Sequence, residues 1–332
     1  MKKVLIIGTG GTIASEPTEN GLAPALGAES LLSAVPYAAS LCSVDCVQAF
    51  SLDSTNVRPG HWLIIADLIR KNYDAYDGFV VTHGTDTLAY TAAGLSYLIA
   101  DSRKPIVLTG AQKPIGEDVT DAKRNLIDAL TYAVDDESRN VCVVFNGCVI
   151  CGTRARKNYS KNFAAFASVN FPCLAQIQDH RIIRYFPDQT EGETKFYDYL
   201  DPNVGLVKLT PGMNNNVMRY ALDCYNGMVI ESFGVGGLPE YSDYYLQIRE
   251  AGERGKLIVM TTQVPNEGSD LSVYRVGAVI RDNLRILEAH DMTSEAALAK
   301  LMWVLGQTND FEEARRLFYR RIHHDILCEE SL

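Results

Sequence analysis

Four short apolar runs in this chain each end on glycine: "VLIIG" at 4–8, "FVVTHG" at 79–84, "IVLTG" at 106–110 and "VCVVFNG" at 141–147. Runs of this length without polar interruption suit strands covered on both faces. Between them lie longer stretches of helical period. "HWLIIADLIRKNY" (61–73) places apolar residues at 62, 64, 65, 68 and 69, on one helix face. "DTLAYTAAGLSYLIA" (86–100) and "DAKRNLIDALTYAV" (121–134) read as two further helices. Strands alternating with helices predict an α/β fold with a mainly parallel sheet, and such sheets carry their functional loops at the C-terminal ends of the strands. All four glycine-ended strand termini fall on that edge.

The stretch 187–203, "PDQTEGETKFYDYLDPN", is polar and begins and nearly ends with proline, so it reads as a linker. After it the pattern restarts with "VGLVKLT" (204–210), a helix from about 214, "GMVIES" (227–232), a helix from about 241, and "KLIVMTT" (256–262). Two helices close the chain, at about 294–306 and 310–321. The expected organisation is a larger N-terminal domain, 1–186, a linker, 187–203, and a smaller C-terminal α/β domain, 204–332. A chain of 332 residues comfortably builds two such cores.

The formal net charge of −10 argues against a polyanionic partner, because phosphate binding needs clustered Lys and Arg. The basic runs "RARK" (154–157) and "RRLFYRRIHH" (315–324) are read as solvated helix faces. No nucleic-acid partner is expected. The N-terminal apolar run is only "VLII", far short of the roughly 7–15 residues of a signal-peptide core, and no stretch approaches the roughly 20 of a membrane span. The expectation is a cytoplasmic protein without a membrane partner. Eight cysteines lack the density of a disulfide scaffold. "CVIC" (148–151) could be half a zinc site or a redox pair, but no second C-x-x-C or H-x-x-x-H accompanies it, and it falls where a strand would continue after "VCVVFNG". These cysteines are read as buried free thiols, with no metal and no cofactor expected.

Four stretches can carry chemistry. "GTGGTIAS" (8–15) is not a dinucleotide fingerprint, since Ile13 stands where the third glycine belongs, and it is not a Walker loop, since no Gly-Lys-Ser/Thr follows. What remains is Thr12 presented by two glycines at a strand end, either as a helix cap or as an accessible hydroxyl. "VVTHGTDTLAYTA" (80–92) runs a buried strand into Thr85 and Asp86 and then a helix. The pair either caps that helix or sets a hydroxyl and a carboxylate beside free backbone N–H groups. "SLDSTNVRPGHW" (51–62) holds Ser54, Thr55 and Asn56, a turn with a cap or a set of short donors for a substrate carboxylate. In "GTRARKNYSKNFAAFASVN" (152–170), Lys157 is unremarkable in isolation.

"TGGTIAS", "LDST", "DGFVVTHGTDTLAYTA" and "AFASVNFP", in this order, resemble the bacterial-type asparaginases, type I cytoplasmic branch. The likeness continues through "KLTPGM", "SFGVGGLP" (232–239) and "HDMTSEAALAKLMWVLGQT" (290–308), so it covers nearly the whole chain. "TGGTI" paired with "HGTDT" is highly specific for that family. The resemblance implies hydrolysis of L-asparagine to L-aspartate and ammonia, with Thr12 as the nucleophile. Thr85, Asp86 and Lys157 would form the second catalytic group, Lys157 being assigned from its distance to "FAAFAS". Ser54 and Thr55, with Asn56 beside them, would receive the substrate's α-carboxylate. Gly11, Gly84 and Ala111 would line the reacting amide. A threonine hydroxyl needs a base near neutral pH; a desolvated lysine held by a carboxylate can supply one. The assembly implied is a homodimer or homotetramer.

One position departs from the family. Many members carry a tyrosine in the loop after "TGGTIAS", and Leu22 stands there in this chain. Leucine has no hydrogen-bonding group. Residues 15–27 are therefore expected to form a lid in which Leu22 excludes water, while Tyr274, from a neighbouring subunit, is a candidate to supply the hydroxyl. Two rival readings are a non-catalytic asparagine-binding protein and the asparaginase-like subunit of a tRNA-dependent amidotransferase. The second is expected to carry extra sequence ahead of the threonine loop, which here begins at residue 8.

Overall fold

The computed structural model describes residues 1–19, 21–188, 190, 192–273 and 285–327. It divides into two compact units, Met1–Asp198 and Tyr199–Leu332. The strands of the first unit are β1 (Lys3–Gly10), β2 (Ser15–Thr18), β3 (Gly21–Pro24), β4 (Ser43–Leu52), β5 (Gly78–Thr82), β6 (Ile99–Ala100), β7 (Ile106–Thr109), β8 (Val141–Phe145), β9 (Cys148–Cys151), β10 (Ala155–Lys157), β11 (Phe166–Ser168), β12 (Ala175–Gln178), β13 (Arg181–Arg184) and β14 (Lys195–Phe196). Its helices are α1 (Ala28–Ser33), α2 (Ala38–Leu41), α3 (Pro59–Asn72), α4 (Leu88–Leu98) and α5 (Ala122–Ala133).

Eight strands form one sheet in the order β13-β12-β9-β8-β7-β5-β1-β4. From β4 to β8 every pairing is parallel. The interior strands are apolar up to their C-terminal threonines, as suits strands buried on both faces: Phe79, Val80 and Val81 of β5 and Ile106, Val107 and Leu108 of β7 are fully buried. The sheet then turns antiparallel. Asn146 and Gly147, with φ of 50° and 77°, make a two-residue hairpin that returns β9 along β8. "CVIC" is thus the return arm of a hairpin, not an extension of the preceding strand.

Three sequence expectations change here. "RARK" is not on a helix: Ala155–Lys157 is β10, paired antiparallel with β11, and Arg154 is fully buried with its guanidinium 5.9 Å from the Phe171 ring. Lys157 accordingly sits on a strand and not in an open loop. The stretch 315–324 leaves its helix after Tyr319, although Arg316 within it is exposed and paired with Glu313 one turn back. Part of the polar stretch 187–203 is also ordered, since β14 pairs with β6.

The second unit is a four-stranded parallel sheet of β15 (Val204–Lys208), β16 (Gly227–Ser232), β17 (Leu257–Thr262) and β18 (Ile286–Glu288), in that order. Its helices are α6 (Asn215–Cys224), α7 (Tyr244–Glu253), α8 (Ser294–Gln307) and α9 (Phe311–Tyr319). Met218, Leu222, Tyr244 and Ile248 from α6 and α7 close one core against Met228, Ile230 and Ile258. The whole is the two-domain α/β fold expected, with a larger, mainly parallel N-terminal sheet.

Candidate active site

Strand register gathers the threonine loops. Gly8 of β1 is opposite Thr82 of β5, Thr82 is opposite Thr109 of β7, and Gly10 is opposite Leu52 of β4. The chain runs from β1 to β4 on one side and then to β5 on the other. The sheet order therefore reverses between β1 and β5, the place where parallel α/β sheets open a crevice. Thr12 follows one of these strands and Thr85 the other.

Two glycines press the loops together. Gly11 has φ of 79°, and a Cβ built on it would lie 2.2 Å from the Gly84 nitrogen. A Cβ on Gly84 would lie 2.7 Å from the Ser54 side chain and 3.1 Å from the Gly11 Cα. The two backbones touch, so the next residue of each, Thr12 and Thr85, flanks one contact. Neither threonine is a helix cap. Thr12 opens a short 3-10 turn, Thr12–Ala14, whose N-cap is Gly11, and α4 takes Thr87 as its N-cap without a side-chain bond. The hydroxyls and the Asp86 carboxylate are left for other partners.

Lys157 is one of those partners. Its Nζ donates to Thr85 Oγ1 at 2.7 Å and to Asp86 Oδ1 at 2.6 Å. The Lys157 side chain is 17% exposed and that of Asp86 is 56% exposed, so the pair runs from the interior to the rim. Thr85 is buried and donates its own proton to Gln112 Oε1 at 3.3 Å. Gln112 Nε2 in turn donates to the carbonyls of Tyr159 and Asn162, at 3.3 and 3.1 Å, and its backbone N–H is held by Asp121. Gln112 is a site residue that the motifs do not single out; they point to its neighbour Ala111, which is fully buried. The available signal is position: Gln112 is the first long polar side chain after the glycine that ends β7.

Ser54 is buried behind Asp86. Its Oγ accepts the Asp86 N–H at 3.2 Å and its carbonyl accepts the Thr87 hydroxyl at 2.7 Å. Having accepted, the Ser54 hydroxyl still has a proton to give. Thr55 and Asn56 are exposed, and both Thr55 donors, N–H and O–H, go to Asp53 Oδ1 at 2.9 and 3.0 Å. Thr55 is thus engaged within its own turn. The segment after Thr12 is a hairpin of β2 and β3, with Leu22 opposite Pro17 and 53% exposed. Tyr274 lies outside the described residues.

His83 underlies the site without opening onto it. It is fully buried; its Nδ1 donates to the Gly84 carbonyl at 2.7 Å and its Nε2 accepts from Thr91 Oγ1 at 3.0 Å. Burial pulls its pKa down to about 4, against a weaker opposing effect of the Gly84 carbonyl, so the ring is neutral and locks the loop's backbone. Among the described residues no cluster of three or more His, Cys, Asp or Glu is placed to hold a metal ion. Clefts of about 310 Å³ against α3 and β14 and about 370 Å³ around Met1 and Leu32 lie away from the threonine edge.

Family models match this chain in two consecutive pieces: asparaginase, N-terminal, over residues 3–189, and the glutaminase/asparaginase C-terminal domain over residues 203–318. The chain belongs to the asparaginase family. Within it, the L-asparaginase of Thermococcus kodakarensis is 40% identical, over 98% of this chain and 99% of its own. The solved structure of the thermostable L-asparaginase from that organism superposes with a TM-score of 0.91, over 98% of this chain and all of its own. L-asparaginase I from Vibrio cholerae gives 0.87 at 31% identity, over 98% of this chain and 99% of its own. The family's reach is wider: a glutamyl-tRNA(Gln) amidotransferase subunit of Pyrococcus horikoshii is 36% identical over 95% of this chain and 74% of its own length.

Proposed function

We propose that this asparaginase-family chain hydrolyses L-asparagine to L-aspartate and ammonia, using Thr12 as nucleophile and Thr85, Lys157 and Asp86 as a proton relay. The observation that carries the reading is Lys157, which bridges Thr85 Oγ1 at 2.7 Å and Asp86 Oδ1 at 2.6 Å beside the loop that presents Thr12. In the reaction, the Thr12 hydroxyl attacks the carboxamide carbon. Backbone N–H groups of the glycine loops stabilise the oxyanion. Collapse expels ammonia, which carries away the proton Thr12 gave up, and leaves an ester on Thr12. Water, activated through Thr85, cleaves that ester. Lys157 donates to both Thr85 and Asp86, which sets it to pass a proton to Asp86 and take the one on Thr85.

For the substrate's α-carboxylate, the Ser54 hydroxyl is the best placed of the three candidates, since its acceptor side is already used by the Asp86 N–H. Thr55 and Asn56 form the exposed rim, and Gly11, Gly84 and Ala111 line the amide. Residues 15–27 serve as the lid, where Leu22 excludes water and transfers no proton. We further propose a cytoplasmic homodimer or homotetramer.

The test is coupled ammonia release from L-asparagine and L-glutamine. The wild type is expected to turn over asparagine and to prefer it over glutamine by about 10- to 200-fold, as one methylene allows. Thr12→Ala and Lys157→Met are each expected to lose on the order of 10³-fold in kcat. Binding without ammonia release from the wild type would instead make this a non-catalytic asparagine-binding protein.

A further inference from the structure

Asp121 stands at the N-cap of α5, where an aspartate ordinarily accepts the first free N–H groups of its helix. Its carboxylate makes no such bond, and the Ala122 N–H goes instead to the Thr120 hydroxyl at 3.0 Å. Both carboxylate oxygens turn back to the segment that follows β7. The Gln112 N–H donates to Oδ1 and Oδ2 at 3.1 and 3.0 Å, and the Lys113 N–H donates to Oδ1 at 3.1 Å. The Asn125 amide, one turn along α5, donates to Oδ2 at 3.2 Å. Asp121 is 6% exposed and Asn125 is fully buried, so these bonds are shielded from water. Asn125 is itself fixed: its Nδ2 also donates to the Gly110 carbonyl at 3.0 Å, and its Oδ1 accepts the Asn146 N–H at 2.9 Å. A carboxylate placed to cap a helix is thus given over to the two N–H groups that follow Ala111.

This arrangement sets one peptide plane. In a trans peptide the carbonyl points opposite to the N–H of the next residue. With the Gln112 N–H held on Asp121, the Ala111 carbonyl is turned away from that carboxylate. Among the described residues no donor meets that carbonyl, although Ala111 is fully buried. The same strand end lies against the Thr85 loop. The His83 N–H donates to the Thr109 carbonyl at 2.8 Å, and a Cβ on Gly110 would lie 2.3 Å from the His83 carbonyl oxygen. We propose that Asp121 is a positioning residue that aims the Ala111 carbonyl at the nitrogen leaving the substrate. The proposal rests on the hydrolytic reading and adds to it the group that receives the N–H of the departing ammonia.

The carbonyl acts on the step in which the C–N bond breaks. As the ester on Thr12 forms, the nitrogen takes up the proton that Thr12 gave up and leaves as ammonia. Its N–H groups carry most positive charge between those two states. A fixed carbonyl acceptor therefore holds the transition state more tightly than bound asparagine. Asp121 touches neither substrate nor nucleophile; it acts through the 111–112 peptide. The β-methyl ester of L-aspartate separates this effect from every other. Its leaving oxygen carries no hydrogen until the C–O bond breaks, so it draws little from the Ala111 carbonyl. It still needs Thr12, Thr85, Lys157 and the oxyanion donors.

The experiment compares kcat/KM for L-asparagine with kcat/KM for that ester, in the wild type and in Asp121→Asn. The variant sets an NH2 group against donors that need an acceptor, which releases the peptide plane. The amide-to-ester ratio should fall about tenfold, the loss expected for one aimed hydrogen bond, and mostly through kcat. Thr120→Val removes the bond to the Lys113 carbonyl without touching the 111–112 peptide, and should leave the ratio unchanged. If Asp121→Asn does not fold, Asp121→Glu carries the same comparison, because it keeps the charge but displaces it by a methylene; the ratio should fall in the same direction. An unchanged ratio, with both rates kept or both lowered equally, would overturn the role of Asp121. So would the same fall in Thr120→Val. A wild type that hydrolyses neither compound would overturn the hydrolytic reading itself.

Discussion

Lys157 is held by two acceptors, and both belong to adjacent residues of one loop. At the scale of single residues this sets the strongest predictions. Asp86→Asn keeps the shape of the loop and removes the charge that positions Lys157 2.6 Å away. It should lower kcat by about 10²-fold or more while leaving the midpoint of urea unfolding nearly unchanged, because the pair is more than half exposed on the carboxylate side. His83 makes a different prediction. Its pKa falls from 6.5 in the unfolded chain to about 4 in the fold, so the unfolded chain binds more protons between those values. Its contribution to stability is complete above pH 6.5 and is lost as pH falls towards 4, by about 3 kcal/mol. Urea midpoints measured from pH 7 to 4 should show this slope, and His83→Gln should flatten it. Thr12, Thr85 and Asp86 stand out as candidates because they follow glycine-rich strand ends, but those residues alone leave helix capping open, and the proposed roles come from the family resemblance. Lys157 was legible only by resemblance, since one lysine among the basic residues of 152–170 carries no local signal. Gln112 was not legible, because its role depends on reaching from β7 to the carbonyls of a distant loop.

At the scale of elements, the site depends on two strand ends approaching closely enough for backbone to touch backbone. Gly11→Ala would add a Cβ 2.2 Å from the Gly84 nitrogen at a φ of 79° that L-residues rarely adopt. The variant should lose about 2 kcal/mol or more of stability, read from denaturant melts, together with most of its activity. Gly84→Ala should behave similarly, because it meets Ser54 and Gly11. The parallel strands could be read from their apolar runs. The turn to antiparallel pairing at β8 and β9 was also written in the sequence, as Asn-Gly between two apolar segments, but the glycine there resembled the other strand-ending glycines. β10 and β11 escaped because three-residue strands in a basic, polar stretch have no period to detect. The β2–β3 hairpin carries an exposed Leu22 with no polar group to offer. Leu22→Ala should therefore lower kcat/KM without moving the pH profile, which steady-state rates across pH would show.

At the scale of the whole molecule, the two units each carry their own sheet and core, and the second closes around a buried ion pair. Lys300 of α8 donates to Asp325 at 2.5 Å, with both side chains fully buried, and also to the Arg320 carbonyl at 2.8 Å. Asp325 also accepts the Ile322 N–H at 2.9 Å. Removing one partner strands the other charge. Lys300→Met should cost about 3–5 kcal/mol in denaturant unfolding, while Lys300→Met with Asp325→Leu should recover much of that loss. Nothing in the linear pattern foretold this pair, whose members are 25 residues apart on a helix and the turn beyond the next helix. The net charge of −10 is compatible with a small zwitterionic substrate, since in the proposed reading Ser54 and the glycine loops, not the average surface, hold it. In the proposed reaction the Thr12 and Thr85 loops converge on a single carboxamide. A crystal of the protein soaked with L-aspartate tests it most directly. The ligand's side-chain carboxylate is expected between the two threonine hydroxyls, its α-carboxylate on Ser54, and Lys157 still bonded to Thr85. A ligand bound elsewhere, or Thr12 turned away from it with Lys157 released into solvent, would rule out a shared site for the two threonines.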